Sequence, residues 1–123
     1  MPARDVAAHE LSKLMSVLSH PQRIRIVEEL QGGEIDVNTL SERLGTSHSR
    51  VSQQLALLRS HRLVVERREG RHVYYRLVEP KLARWVMAGL EFLESDLARG
   101  AAQKDVLEEA RSLWTTSGKA KKR

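Results

Sequence analysis

The chain has 123 residues, of which 41% are hydrophobic and 30% charged, the size and balance of one globular domain rather than of a disordered segment. It contains no cysteine, so disulfides, thiolate metal sites and thiol nucleophiles are excluded. No run approaches the roughly 20 apolar residues of a membrane span, and Met1-Pro2-Ala3-Arg4-Asp5 precedes no apolar signal region; a cytoplasmic domain is expected.

The formal net charge of +5 is unevenly spread. Seven arginines (Arg50, Arg59, Arg62, Arg67, Arg68, Arg71, Arg76) face two glutamates (Glu66, Glu69) between His48 and Arg76, a net +5 in that segment alone. Lys119, Lys121, Lys122 and Arg123 make the tail basic, which leaves the rest of the chain acidic. A basic block on an acidic body points to a polyanion at one face.

Val6, Ala7, Leu11, Leu14, Met15 and Leu18 recur at three- and four-residue steps and predict a first helix from about Val6 to Ser19. Pro21 suits the first turn of a second helix, capped by Ser19 or His20, burying Ile24, Val27 and Leu30 and ending at Gly32-Gly33. Glu34-Ile35 reads as a short extended link and Asp36 as an N-cap. A short helix then spans Val37 to Leu44, burying Leu40 and Leu44, and Gly45 stops it. Thr46 or Ser47 caps the next helix, about His48 to His61, with Val51, Leu55 and Leu58 facing inward. Two short helices joined by a tight glycine-containing turn form a helix-turn-helix.

Leu63 to Arg68 and His72 to Val78 are rich in β-branched and aromatic residues around Glu69-Gly70-Arg71, the pattern of a β-hairpin, here placed as a wing. Pro80 opens a long helix to about Arg99, stopped by Gly100 and more apolar than one stripe requires. The last helix runs from about Ala102 to Trp114. The domain is set at residues 1–114, with 115–123 as a disordered basic tail. The fold class is mainly α with a small β-hairpin, in the order α1-α2-short β-α3-α4-β-β-α5-α6.

The stretch from Leu40 through Gly45-Thr46-Ser47-His48 to Arg59 resembles the helix-turn-helix of the ArsR/SmtB family of bacterial repressors. Arg67 to Leu77 is similar to its wing, and Leu18-Ser19-His20-Pro21-Gln22-Arg23 to the start of its second helix. The resemblance implies a winged-helix homodimer, paired through its first and fifth helices, that represses transcription from a palindromic double-stranded operator. Ala88-Gly89 would let two helices cross closely, and pairing on a two-fold site gives a second reading head.

With Val51, Leu55 and Leu58 inward, the wheel turns His48, Ser49, Ser52, Gln53 and Ala56 outward at the helix N-terminus, where a recognition helix meets base edges. Gln53 can bond adenine in two places. Ser49, Ser52 and His48 suit bases or phosphates, and Arg50 and Gln54, at the border, suit phosphate. In the wing, Arg67, Arg68, Arg71 and His72 flank the turn, with Arg71 near the tip expected to reach the backbone or minor groove. Tyr74 and Tyr75 alternate faces, so one packs inward.

Family members that sense soft metals carry Cys-Val-Cys at the third helix; here the matching residues are Asp36-Val37-Asn38. Zinc sensors of the family open the fifth helix with Asp-x-His, whereas this chain has Glu79-Pro80-Lys81. No metal site and no cofactor are therefore expected. A regulator controlled by nickel or zinc through ligands such as His9 and Glu10, by an organic ligand between helices, or by a partner protein is the alternative. A winged-helix module for protein or RNA is another. His61-Arg62 stands where the family has Ala-Gly, which predicts a non-glycine residue at a left-handed helix end. With no glycine-rich phosphate loop and no paired acid/base motif, an enzyme is not expected.

Overall fold

The computed structural model describes residues 2–95 and 101–121. In chain order it contains α1 (Pro2–Val17), α2 (Pro21–Leu30), β1 (Ile35–Asp36), α3 (Val37–Leu44), α4 (His48–Ser60), β2 (Val64–Glu69), β3 (His72–Leu77), α5 (Lys81–Glu94) and α6 (Ala101–Lys121). The predicted α-rich winged helix-turn-helix and its element order are present.

Local chemistry sets the helix boundaries. His20 caps α2, its Nδ1 accepting from the Gln22 amide at 3.1 Å, with Pro21 in the first turn. Asp36 caps α3 by accepting from the Thr39 amide at 3.3 Å. Gly45 closes α3 in the left-handed conformation at φ 65°, and Ser47 caps α4 by accepting from the Arg50 amide at 3.1 Å. After α4 the left-handed position falls on Arg62, at φ 62°, as the replacement of the family's glycine predicts. That conformation is strained for a residue with a Cβ.

The core is built where α2, α3, α4 and the sheet converge. Ile26, Val27, Leu40, Val51, Leu55 and Leu58 are completely buried, with Leu30, Val64, Tyr75 and Leu77 around them. Truncating one such leucine to alanine costs about 2–5 kcal/mol, so the α4 packing face is strongly held. In α2 the buried row is Ile26, Val27 and Leu30, and Ile24 is exposed, contrary to the predicted inward position. The two isoleucines lie on different faces, and the core side takes Ile26 with Val27.

β1, expected only as an extended link, pairs with β3, giving a three-stranded antiparallel sheet of order β1-β3-β2. Ile35 lies opposite Tyr75 and Asp36 opposite Tyr74, while β2 and β3 pair from Val64↔Leu77 to Glu69↔His72. The wing therefore turns on Gly70-Arg71, with Gly70 at φ 59°.

Three further differences concern the helices around this core. The α1 stripe is covered only at its end: Val17 and Leu18 are buried, whereas Val6, Leu11 and Met15 are 61%, 44% and 50% exposed. α5 ends at Glu94, not near Arg99; the Ser95 hydroxyl donates to the Phe92 carbonyl at 2.9 Å and competes with the next helical turn. The expected positions of Leu97, Arg99 and the Gly100 stop lie outside the described residues, as do Lys122 and Arg123. α6 continues past Trp114 to Lys121, beyond the predicted end and into the segment expected to be disordered; no proline interrupts it, and Gly118 alone costs only about 1 kcal/mol. Among the described residues no helix is long and apolar enough to cross a membrane.

Candidate nucleic-acid interface

α4 presents its polar face because its apolar face is committed. Val51, Leu55 and Leu58 recur at helical spacing and are all buried, which leaves His48, Ser49, Arg50, Gln53 and Ala56 exposed and Ser52 half-buried. Ser52 Oγ and His48 Nδ1 lie 3.4 Å apart, so these two side chains steady one another at the helix N-terminus. That end also carries the positive pole of the helix and unpaired amides, an environment suited to phosphate or to base-edge acceptors.

Gln54 is placed differently from the others. Its Oε1 accepts from Arg23 Nε at 2.7 Å, and Arg23 NH1 donates to the Val17 carbonyl at 2.9 Å. This arginine joins the end of α1, the start of α2 and the flank of α4. The sequence places Gln54 at the border of the reading face; the structure turns it toward the body.

The wing arginines divide in the same way. Arg67 donates to Glu34 at 2.7 Å and to Glu69 at 2.7 Å, and its guanidinium carbon lies 4.6 Å from the centre of the Tyr74 ring. Its pKa is pushed further up, chiefly by the hydrogen bonds to Glu34, and the Glu34 carboxyl is correspondingly lowered by the Arg67 hydrogen bond. Arg68 is largely exposed, with Nε 3.7 Å from Glu66 Oε1. Arg71 is exposed at the turn, and among the described residues its side chain and that of Arg50 have no bonding partner. His72 is exposed, its Nδ1 3.7 Å from Asp36 Oδ2 and its ring 6.0 Å from Tyr74. Among these residues Arg50 and Gln53 on α4 and Arg68 and Arg71 on the wing keep unspent donor capacity.

Behind the wing, Tyr75 is the inward tyrosine: it is buried and its hydroxyl donates to Glu66 Oε2 at 3.0 Å, with burial as the main cause of its raised pKa. Arg59 of α4 holds the same Glu66 at 2.9 Å, so an ion pair and a hydrogen bond tie the recognition helix to the wing. The Glu66–Tyr75 and Arg67–Glu34 links were missed from sequence. Strand register is the signal that would have exposed the first, since Glu66 and Tyr75 are directly opposed.

At the positions of the family's metal motifs this chain holds Asp36-Val37-Asn38 and Glu79-Pro80-Lys81. Asp36 is engaged as the α3 cap, its carboxyl lowered first by hydrogen bonding from Thr39. At the α5 opening, Glu79 Oε1 accepts from the Lys81 amide at 3.2 Å, and the Lys81 ammonium has no lone pair to offer. Glu10 is paired with Lys13 at 3.0 Å. Among the described residues no group of three or more His, Cys, Asp or Glu could hold a metal ion.

Residues 20–65, which span this helix-turn-helix, match the bacterial regulatory protein, arsR family. Over 88 residues the chain is 38% identical to the biofilm growth-associated repressor of Agrobacterium fabrum, covering 72% of this chain and 75% of that protein. The chain belongs to the arsR family. The transcriptional repressor BigR from Xylella fastidiosa has a similar solved structure, at TM-score 0.65 and 32% identity, covering 80% of this chain and 98% of the other. Reduced HlyU from Vibrio cholerae N16961 superposes at TM-score 0.66 with 27% identity, covering 80% and 100% of the two chains. This member of the arsR family is a DNA-binding transcriptional regulator.

Proposed function

We propose that the protein is a cytoplasmic homodimeric repressor of a palindromic operator, with no enzymatic activity of its own. Base edges are read by Gln53 with Ser49, Ser52 and His48, and phosphates are held by Arg50 on α4 and by Arg68 and Arg71 on the wing. Residues 1–114 form the DNA-binding and dimerisation unit, and the basic segment 115–123 adds long-range attraction to the duplex. Gln54 and Arg67 position α4 and the wing, and His72 borders the contact. Repression is carried over from the named repressors among its relatives.

The observation that carries this reading is the division of α4: a fully buried Val51-Leu55-Leu58 face behind an exposed polar face with unspent donors. The dimer draws its support from the distribution of exposed apolar side chains. Val6, Leu11 and Met15 on α1, Trp85 and Phe92 on α5, and Val106 and Leu113 on α6 are all exposed, whereas none of the exposed large hydrophobics lies on α3 or α4. A patch on that scale asks for a partner, and a second copy gives two reading heads one helical turn apart.

Selection of bound fragments from random duplex DNA, with sedimentation of the protein alone and on the selected site, tests the proposal. A two-fold symmetric consensus occupied by two chains is the expected result. Recovery of no consensus, or occupancy by a single chain, overturns it.

A further inference from the structure

The recognition helix and the wing are joined by three residues, 61–63, since α4 ends at Ser60 and β2 begins at Val64. The middle one, Arg62, holds the left-handed conformation at φ 62°. A residue with a Cβ keeps that conformation only where its surroundings over-determine it. Two backbone bonds secure the junction from inside: the Arg62 amide donates to the Arg59 carbonyl at 2.9 Å and the Leu63 amide to the Leu58 carbonyl at 3.0 Å. A third brace crosses it from outside. Arg59, before the strained residue, pairs at 2.9 Å with Glu66, after it.

Glu66 is held on its other side by the sheet. It stands opposite Tyr75 in the β2–β3 register, and the buried Tyr75 hydroxyl donates at 3.0 Å to the same Oε2 that Arg59 reaches. Its Oε1 lies 3.7 Å from Nε of Arg68, an exposed arginine of the wing. One carboxylate thus connects the last turn of α4, the buried side of β3 and a wing arginine. Glu66 is also one of two acids among the seven arginines between His48 and Arg76. Negative charge there opposes attraction to a polyanion, so whatever Glu66 adds to operator binding comes through the groups it holds.

We infer that Glu66 is a positioning residue for DNA recognition: without touching DNA, it fixes the angle between α4 and the wing, so that base readout and phosphate contact fall in register on one duplex. Phosphate contacts set register only when the element that makes them is rigid relative to the reading helix. A loosened junction leaves both elements able to bind charge and lets them slip against one another. That lowers the preference for the operator rather than binding as such. The inference rests on the proposed division of labour between α4 and the wing.

Glu66→Gln tests it, because the side chain keeps its shape and an acceptor for Tyr75 but loses the charge that holds Arg59. Removing a negative charge from the basic block strengthens binding to every duplex, whereas loss of the brace weakens binding to the operator alone. Gel shifts on the selected operator and on random duplex are therefore expected to show tighter random binding and an operator-over-random ratio about tenfold lower, the size of one misplaced base contact. Tyr75→Phe leaves the net charge unchanged and isolates the geometry; a ratio about threefold lower, with random binding as in the parent, is expected. Partial unfolding lowers both affinities by the same factor and leaves the ratio alone, so a merely structural role does not imitate this result. An unchanged ratio in either variant overturns the inference. A parent chain with no preference for a selected operator overturns the reading of α4 and the wing as well.

Discussion

Arg23 and Gln54 are joined by a 2.7 Å hydrogen bond from the arginine Nε to the glutamine Oε1, and the same guanidinium reaches the Val17 carbonyl at 2.9 Å. The orientation of the recognition helix thus depends on a half-buried side chain of α2, outside the helix-turn-helix itself. Gln54→Ala leaves part of the guanidinium without an acceptor and should lower unfolding stability by about 1–3 kcal/mol. Urea denaturation measures this; a midpoint equal to that of the parent chain would place Gln54 outside the scaffold.

Gln53, its neighbour in sequence, is expected to behave in the opposite way. It is exposed and contributes nothing to packing, so Gln53→Ala should leave stability intact. Loss of a bidentate base contact is worth about 1–3 kcal/mol, roughly five- to 150-fold in operator affinity, with binding to random duplex unchanged. Competition gel shifts on cognate and random fragments separate the two effects. Equal loss on both would remove Gln53 from base readout.

How far the sequence was legible follows from which contacts are local. The Val51-Leu55-Leu58 row, the Asp36 and Ser47 caps, the Gly45 stop and the Gly70 turn are each written within a few residues, and each is where the sequence pattern puts it. Gln54 and Arg67 look like exposed donors because their partners, Arg23 and Glu34, are remote in sequence and brought near only by packing. β1 is only an extended link in the sequence pattern because two residues carry no periodicity; pairing with β3 makes it a strand. The α1 stripe marks a helix, but amphipathicity does not say whether a face is covered by its own chain.

The two wing arginines Arg67 and Arg71 make a matched test. Arg71 sits at the turn with no partner among the described residues, so Arg71→Ala should weaken binding to all sequences and reduce the salt slope of log K by about 1. Arg67 is held by Glu34, Glu69 and the Tyr74 ring, so Arg67→Ala should lower the thermal midpoint and leave the slope as it was. Salt titrations of the two variants beside thermal melts decide the assignment; the opposite pattern would exchange their roles.

Asp36 gives the fold a dependence on acid. Hydrogen bonding from Thr39 at the start of α3 outweighs the opposing effect of burial and holds its carboxyl below the ordinary carboxylate value. A group whose pKa is lower in the folded chain binds its proton more readily in the unfolded one. Its stabilisation is therefore fully present above the unfolded value near pH 4 and is lost as the pH falls through the lower folded value. His72 lies 3.7 Å from the same carboxylate and contributes to lowering it, so the comparison belongs in a His72→Gln background. There, Asp36→Asn keeps a cap acceptor but not the ionisation, and the parent should lose more stability than the variant between pH 6 and about pH 3. Asp36→Ala should cost about 1 kcal/mol at neutral pH, because the Thr39 amide then loses its acceptor. Urea melts across that range read both effects, and parallel pH profiles for parent and Asp36→Asn would show that the cap works without its charge.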